Sequence, residues 1–296
     1  MNSTSGRPYI DAHAHIGETI NRVPPVGQTI EKYLARMAES GVHAAVPCPA
    51  AGGPQARGAL DTRAQNDAIA AACRTYPDRF PIGLGIVEVR HQQAAADEIA
   101  RCMDEAGLQG LMIHPALSAS SLGPELRPAL EVVDARGGMA LLHVGGGGYE
   151  ARAAAHAKQF KRITFVMAHV SMRREHFPAS VEHLAGLENV WADFAQHPAV
   201  DDETWNLAAH VKHFGAERLL FGSDAPYYDW RILEKQIEGS GLDEATKDRM
   251  AWRNAEELIR RFKPEWGMST LPVETPAEWR DVELWRTLPG QPARLA

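Results

Sequence analysis

Apolar residues in this chain gather into eight short runs, and a stretch with helical spacing follows each of them. The first run is Tyr9-Ile10-Asp11-Ala12-His13-Ala14-His15; the others occupy residues 42–46, 80–87, 111–115, 139–143, 163–169, 190–194 and 219–224. A Pro/Gly loop, Val23-Pro24-Pro25-Val26-Gly27, separates the first run from a helix predicted over residues 28–40. There Ile30, Tyr33, Leu34 and Met37 share one face, and Gly41 ends the pattern. Further helices are predicted over residues 60–76, 92–106, 125–135, 151–160, 181–187, 202–214, 230–239 and 244–262. Eight strands, each leading into a helix, predict an α/β fold, a closed (β/α)8 TIM barrel. An open doubly wound sheet is the structural alternative. It is disfavoured because no G-x-G-x-x-G follows the first run.

The pattern divides the chain into a barrel over residues 1–262 and an extension over residues 263–296. The extension is Pro-rich and carries Trp266, Trp279 and Trp285, three of the seven tryptophans. That much aromatic surface predicts a segment packed on the barrel or on a neighbouring subunit, where it would serve a homodimer.

Composition narrows the class. With 296 residues, 45% of them apolar, the chain can bury one large core. A net charge of -7 argues against nucleic acid or an anionic membrane as the main partner. Cys48, Cys73 and Cys102 are far apart and form no C-x-x-C, so neither a disulfide framework nor a cysteine-based zinc site is expected. No run is long enough to span a bilayer and no signal pattern opens the chain, so a soluble, cytoplasmic protein is expected.

In barrels of this kind the active site gathers at the C-terminal ends of the strands. His13 and His15 end the first run one residue apart, so both leave the same face of a strand and one metal ion can take a nitrogen from each. His114 ends the fourth run, His143 the fifth and His169 the sixth; the seventh carries Asp193, and the eighth ends in Asp224. The remaining histidines fall mostly on predicted helices and loops, where solvated surface is the default reading.

The H-x-H, the histidines ending strands five and six, and Gly222-Ser223-Asp224-Ala225-Pro226 together resemble the amidohydrolase superfamily. The likeness is to its amidohydrolase-related branch, which includes aminocarboxymuconate-semialdehyde decarboxylase-like enzymes. Tyr76-Pro77-Asp78-Arg79-Phe80, Leu142-His143-Val144-Gly145, Met167-Ala168-His169-Val170-Ser171 and Asn254-Ala255 support it, over about residues 9–262. The resemblance implies one divalent metal, zinc first and manganese as the alternative, held by His13, His15, His143 and Asp224. His169 would stand beside the activated water, and His169 and Asp224 would handle protons. Three imidazoles and a carboxylate suit such an ion. Binuclear members carry a lysine at the end of strand four; here that stretch reads Leu111-Met112-Ile113-His114-Pro115, which favours one metal.

The expected activity is hydrolysis of a lactone, ester or amide in a small organic acid. Non-oxidative decarboxylation of an aromatic or muconate-type acid is the alternative, and a metal-free lactonase the minor one. A catalytically silent barrel would predict a broken ligand set, and all five positions are intact. Around them, His114 either lines the substrate pocket or is satisfied in the turn before Pro115. Asp193 either hydrogen-bonds a ligand histidine or has a purely structural partner. Arg173 or Arg174 would clamp a substrate carboxylate, against the plainer reading of solvated surface, and Tyr227 would form part of an aromatic wall.

Overall fold

The computed structural model describes residues 6–19, 26–50, 59–115, 118, 120–145, 148–170, 172–198 and 202–268. Its first strand, β1 (Tyr9–Thr19), pairs in parallel with β3 (Val42–Pro49) and antiparallel with a short β2 (Val26–Gln28). Six more strands run parallel in sequence order: β4 (Gly85–Ile86), β5 (Gly110–Ile113), β6 (Met139–His143), β7 (Thr164–Ala168), β8 (Val190–Asp193) and β9 (Leu219–Leu220). Backbone hydrogen bonds join the two sheets at both seams. Leu84 N donates to Pro47 O (3.0 Å) on one side; on the other, Ala12 N donates to Phe221 O (2.9 Å) and Asp224 N to His13 O (2.8 Å). Leaving β2 aside, the eight parallel strands close into the expected (β/α)8 barrel.

Helices pack outside: α1 (Ile30–Glu39), α2 (Ala59–Thr75), α3 (Gln93–Asp104), α4 (Arg127–Ala135), α5 (Glu150–Gln159), α6 (Phe177–Leu184), α7 (Leu207–Phe214) and α8 (Trp230–Gly239). Both faces of β4 to β9 are buried, as is β3 apart from the half-buried His43, which is why these strands read as continuous apolar runs. Two apolar clusters divide those faces by the period of two. Ile10, Val46, Leu84, Met112, Leu141, Val166 and Leu220 fill the barrel interior. Tyr9, Leu111, Leu142, Phe165, Ala192 and Phe221 face the helices.

Several expectations shift for local reasons. The stretch read as a Pro/Gly loop forms β2 at its end, because β1 continues four residues past His15 and offers it a partner; residues 23–25 lie outside the described residues. The helix expected from residue 202 begins at Leu207. Asp202 is engaged in its own turn, accepting from Thr204 N (2.9 Å) and Thr204 Oγ1 (2.6 Å), and Asn206 caps the helix instead. The last helix is α9 (Glu244–Asp248), a π-helical turn (Arg249–Arg253) and α10 (Asn254–Arg260). The extra residue in that turn accompanies an outside bond: Met250 O accepts from Phe221 N (2.9 Å), tying the turn to β9. Of the extension, Trp266 is buried among barrel-interior residues beside Leu258 and Ile259 of α10. Trp279 and Trp285 lie outside the described residues. Among the described residues no helix is long and apolar enough to cross a membrane, and all three cysteines are free.

His210 makes stability depend on pH. It is fully buried on α7, stacks on Phe177 (ring centroids 4.6 Å apart) and bonds Asn206 O through Nδ1 (2.8 Å). Burial, with help from His197, lowers its pKa to about 4. The unfolded chain therefore binds the proton more readily, and this part of the stability is whole above about pH 6.5 and drains as pH falls towards 4. Urea unfolding at pH 7.5 and pH 5 should show a smaller loss for His210→Phe than for the wild type. Equal losses would contradict this.

Candidate active site

The histidines reach the barrel interior through a defect in β1. Asp11 pairs with Ala45 and Ala14 with Pro47, so β1 carries one more residue than β3 across this step. Ile10 and Ala12 point inward, whereas Ala14 and Ile16 pack on the outer cluster. Without that bulge the alternation would send His13 and His15 outward under the helices. Asp11 pins the bulge. Its Oδ1 accepts from His13 N (3.1 Å) and Ser223 N (2.8 Å), and its Oδ2 accepts from the hydroxyls of Tyr33 and Ser223 (both 2.5 Å). Burial raises its pKa against these bonds.

His143 ends β6, and His169 follows β7 with a φ of +61°. Gly145 permits their approach, because a Cβ there would lie 2.3 Å from His169 O. Asp193, on β8, is fully buried. Its Oδ2 lies 3.0 Å from His13 Nδ1, and its Oδ1 accepts from the backbone of His169 (2.8 Å) and Ala195 (3.0 Å). Burial opposes its charge, but His13 and His169 hold its pKa below the usual range. Asp224 follows β9 with a φ of +56°. Its Oδ1 lies 2.9 Å from His15 Nε2, 3.2 Å from His13 Nε2 and 3.9 Å from His169 Nε2. Against its burial, His169, His15 and His13 hold the carboxyl well below the usual carboxylate range.

The hydrogen-bond network assigns the tautomers. His13 gives its Nδ1 proton to Asp193, and His15 gives its own to Pro49 O (3.0 Å). The lone pairs on their Nε2 atoms then face each other 3.1 Å apart, with Asp224 Oδ1 against both. Three acceptors converging on one point call for positive charge. His15 shows the same demand. Burial works against its protonation, yet Cys48 and the bonded Asp224 push its pKa well above the usual value.

His169 gives its Nδ1 proton to Ala195 O (3.2 Å), which leaves Nε2 as an acceptor 3.1 Å from His143 Nδ1. His143 Nε2 is buried with no hydrogen-bond partner. Burial, then the neighbouring His114 and His13, keep His143 neutral by pushing its pKa well down. One proton would quiet the His13–His15 contact but would leave that nitrogen unanswered. A cation taking several ligands fits both. Donor atoms of His13, His15 and His143, and of His13, His169 and Asp224, each lie within 4.8 Å of one another.

Around the cluster, the His114 ring lies 4.6 Å from that of His143, and burial together with the neighbouring histidines lowers its pKa to about 4. Tyr227 meets His15 edge-on at 5.3 Å. Both therefore border the site. Arg173 and Arg174 are exposed, Arg174 in an ion pair with Asp202 (3.2 Å), and no described contact joins either to the cluster. Their placement matches the plainer reading of solvated surface.

Sequence reasoning missed Asp11, Cys48 and Gln196. Asp11 sits two residues before the H-x-H and was open to notice. Cys48, with its Sγ 3.3 Å from His15 Nδ1, and Gln196, bonded to Asp224 Oδ2, carried no pattern that marks them.

A buried cluster of imidazoles and one carboxylate at the C-terminal mouth of a (β/α)8 barrel defines the class: a barrel of amidohydrolase type. The amidohydrolase family (Amidohydro_2) matches residues 10–261, and the chain belongs to it. Solved structures agree on the fold. A dihydroxybenzoic acid decarboxylase from Polaromonas, with bound manganese and the inhibitor 2-nitroresorcinol, superposes with a TM-score of 0.65 at 19% identity, over 86% of this chain and 97% of the other. A probable 2-pyrone-4,6-dicarboxylic acid hydrolase from Acinetobacter baumannii, with citric acid bound, gives 0.64 at 17% identity over 85% and 98%. The 5-carboxyvanillate decarboxylase of Sphingomonas paucimobilis gives 0.58 at 18% identity over 86% and 99%. Among curated protein sequences nothing matches.

Proposed function

We propose that this chain is a metal-dependent hydrolase with one divalent ion, acting on a lactone, ester or amide carbonyl of a small organic acid. The observation that carries the proposal is the convergence of lone pairs from His13, His15 and Asp224 beside the unpartnered His143 Nε2. Those four residues would hold the ion, zinc first, with manganese, bound in the Polaromonas decarboxylase structure, as the alternative. When bound, the ion supplies concentrated positive charge that polarises a carbonyl oxygen and acidifies water.

The chain's own groups do the rest. Asp193 fixes the tautomer of His13 and turns its Nε2 into the cluster. With His143 given over to the ion, His169 is the remaining base: its Nε2 turns from the His143 Nδ1 proton it accepts (3.1 Å) to the water, while Ala195 O holds its other nitrogen. It takes a proton from water and returns it to the leaving oxygen or nitrogen. Neutral His114 and Tyr227 border the approach and offer hydrogen bonds to the acid.

Decarboxylation is the second reading, favoured by the dihydroxybenzoate and carboxyvanillate decarboxylases among the structural relatives. Metal-loaded protein should be screened against lactones, esters and amides, and in parallel for carbon dioxide release from hydroxylated aromatic acids. Hydrolytic turnover is expected. Carbon dioxide release with no hydrolysis would overturn the first reading and install the second.

A further inference from the structure

Among the described residues five non-glycine residues have positive φ, and three of them follow successive strands at this site: His169 (+61°), Gln196 (+58°) and Asp224 (+56°). Such backbone costs energy and persists where the surroundings over-determine it. His169 and Asp224 belong to the cluster already described, and Gln196 shares their geometry. It lies three residues beyond the end of β8, and its Nε2 donates to Asp224 Oδ2, the oxygen turned away from the histidines.

The backbone behind Gln196 is bolted down. His197 N donates to Phe194 O (3.0 Å), and the His197 ring spans Trp205 O (2.9 Å) and Gln236 Oε1 (3.2 Å). Gln236 Nε2 returns a bond to His197 O (2.8 Å). The backbone fixed in this way holds Gln196 where its side chain reaches Asp224.

We propose that Gln196 is a positioning residue for the metal site: its amide engages Asp224 Oδ2, so that the carboxylate presents Oδ1 alone to His13 and His15. The assignment rests on the metal reading given above. A carboxylate free to rotate would share its charge between two oxygens and lose its fixed bearing on the imidazoles. Gln196 removes that freedom, and a donor is the part of the side chain that does so.

The test compares wild type, Gln196→Leu and Gln196→Met, each stripped with a chelator and titrated with Mn2+ while free ion is followed by electron paramagnetic resonance. Methionine fills nearly the same space as glutamine, carries no charge and has no donor, so it separates donation from packing. Both variants should bind Mn2+ about 10- to 100-fold more weakly and shift the visible spectrum of the Co2+-loaded protein. Their melting in chelator should stay close to that of the wild type. Wild-type Mn2+ affinity in Gln196→Met would overturn the assignment, leaving only space-filling, and wild-type affinity in Gln196→Leu would overturn it entirely. A wild type that takes up neither Mn2+ nor Zn2+ would overturn the metal reading and this assignment with it.

Discussion

Asp224→Asn should lower kcat/KM by at least about 1,000-fold while the barrel stays folded, a loss of about 4 kcal/mol in transition-state stabilisation. Asparagine suits the test because it tolerates the left-handed backbone that Asp224 adopts at φ +56°. The substitution removes the charge on which His13, His15 and His169 converge. It also leaves Gln196 its acceptor, provided the amide oxygen takes the Oδ2 position. Activity is read on whichever substrate class the screen identifies, with circular dichroism as the control for fold. Activity within tenfold of wild type would remove Asp224 from the reaction.

The second large effect is expected at Asp11, in stability as well as in rate. Asp11→Ala strands four donors in a sealed region: His13 N, Ser223 N and the hydroxyls of Tyr33 and Ser223. Leaving several buried groups unsatisfied costs about 3–5 kcal/mol, less whatever the cavity relaxes. Denaturant unfolding should show that loss. The bulge that aims His13 and His15 loosens at the same time, so metal affinity should fall too. Asp11→Asn keeps an acceptor for the two backbone donors and should lose less than half as much. If Asp11→Ala unfolds like the wild type, Asp11 does not anchor the bulge.

These two residues also mark what could and could not be read from the chain. Parallel strands buried on both faces appear as plain apolar runs, so the run at 139–143 coincides with β6 (Met139–His143) and the barrel was legible. Polar residues at the ends of such runs stand out, which is how His143, His169 and Asp224 were found. The bulge in β1 was not legible, because an extra residue shows only against the partner strand, and the alternation of Ile10 and Ala12 argues for the wrong face. The π-helical turn depends on Phe221 N, about thirty residues away in sequence, and helical spacing carries no trace of it. Gln196 is one polar residue in a loop. Its importance comes from where β9 delivers Asp224, which only the closed barrel shows. Arg173 and Arg174 are a different case: a charged pair after a strand end suggests a clamp, and both side chains are exposed, Arg174 beside Asp202.

The proposed chemistry turns on one divalent metal ion held by His13, His15, His143 and Asp224. Elemental analysis of purified wild type and Asp224→Asn tests it most directly, with protein concentration from amino-acid analysis. About one zinc or manganese per wild-type chain is expected, and almost none in the variant. Folded wild type carrying no divalent metal after reloading, or two per chain, would contradict it.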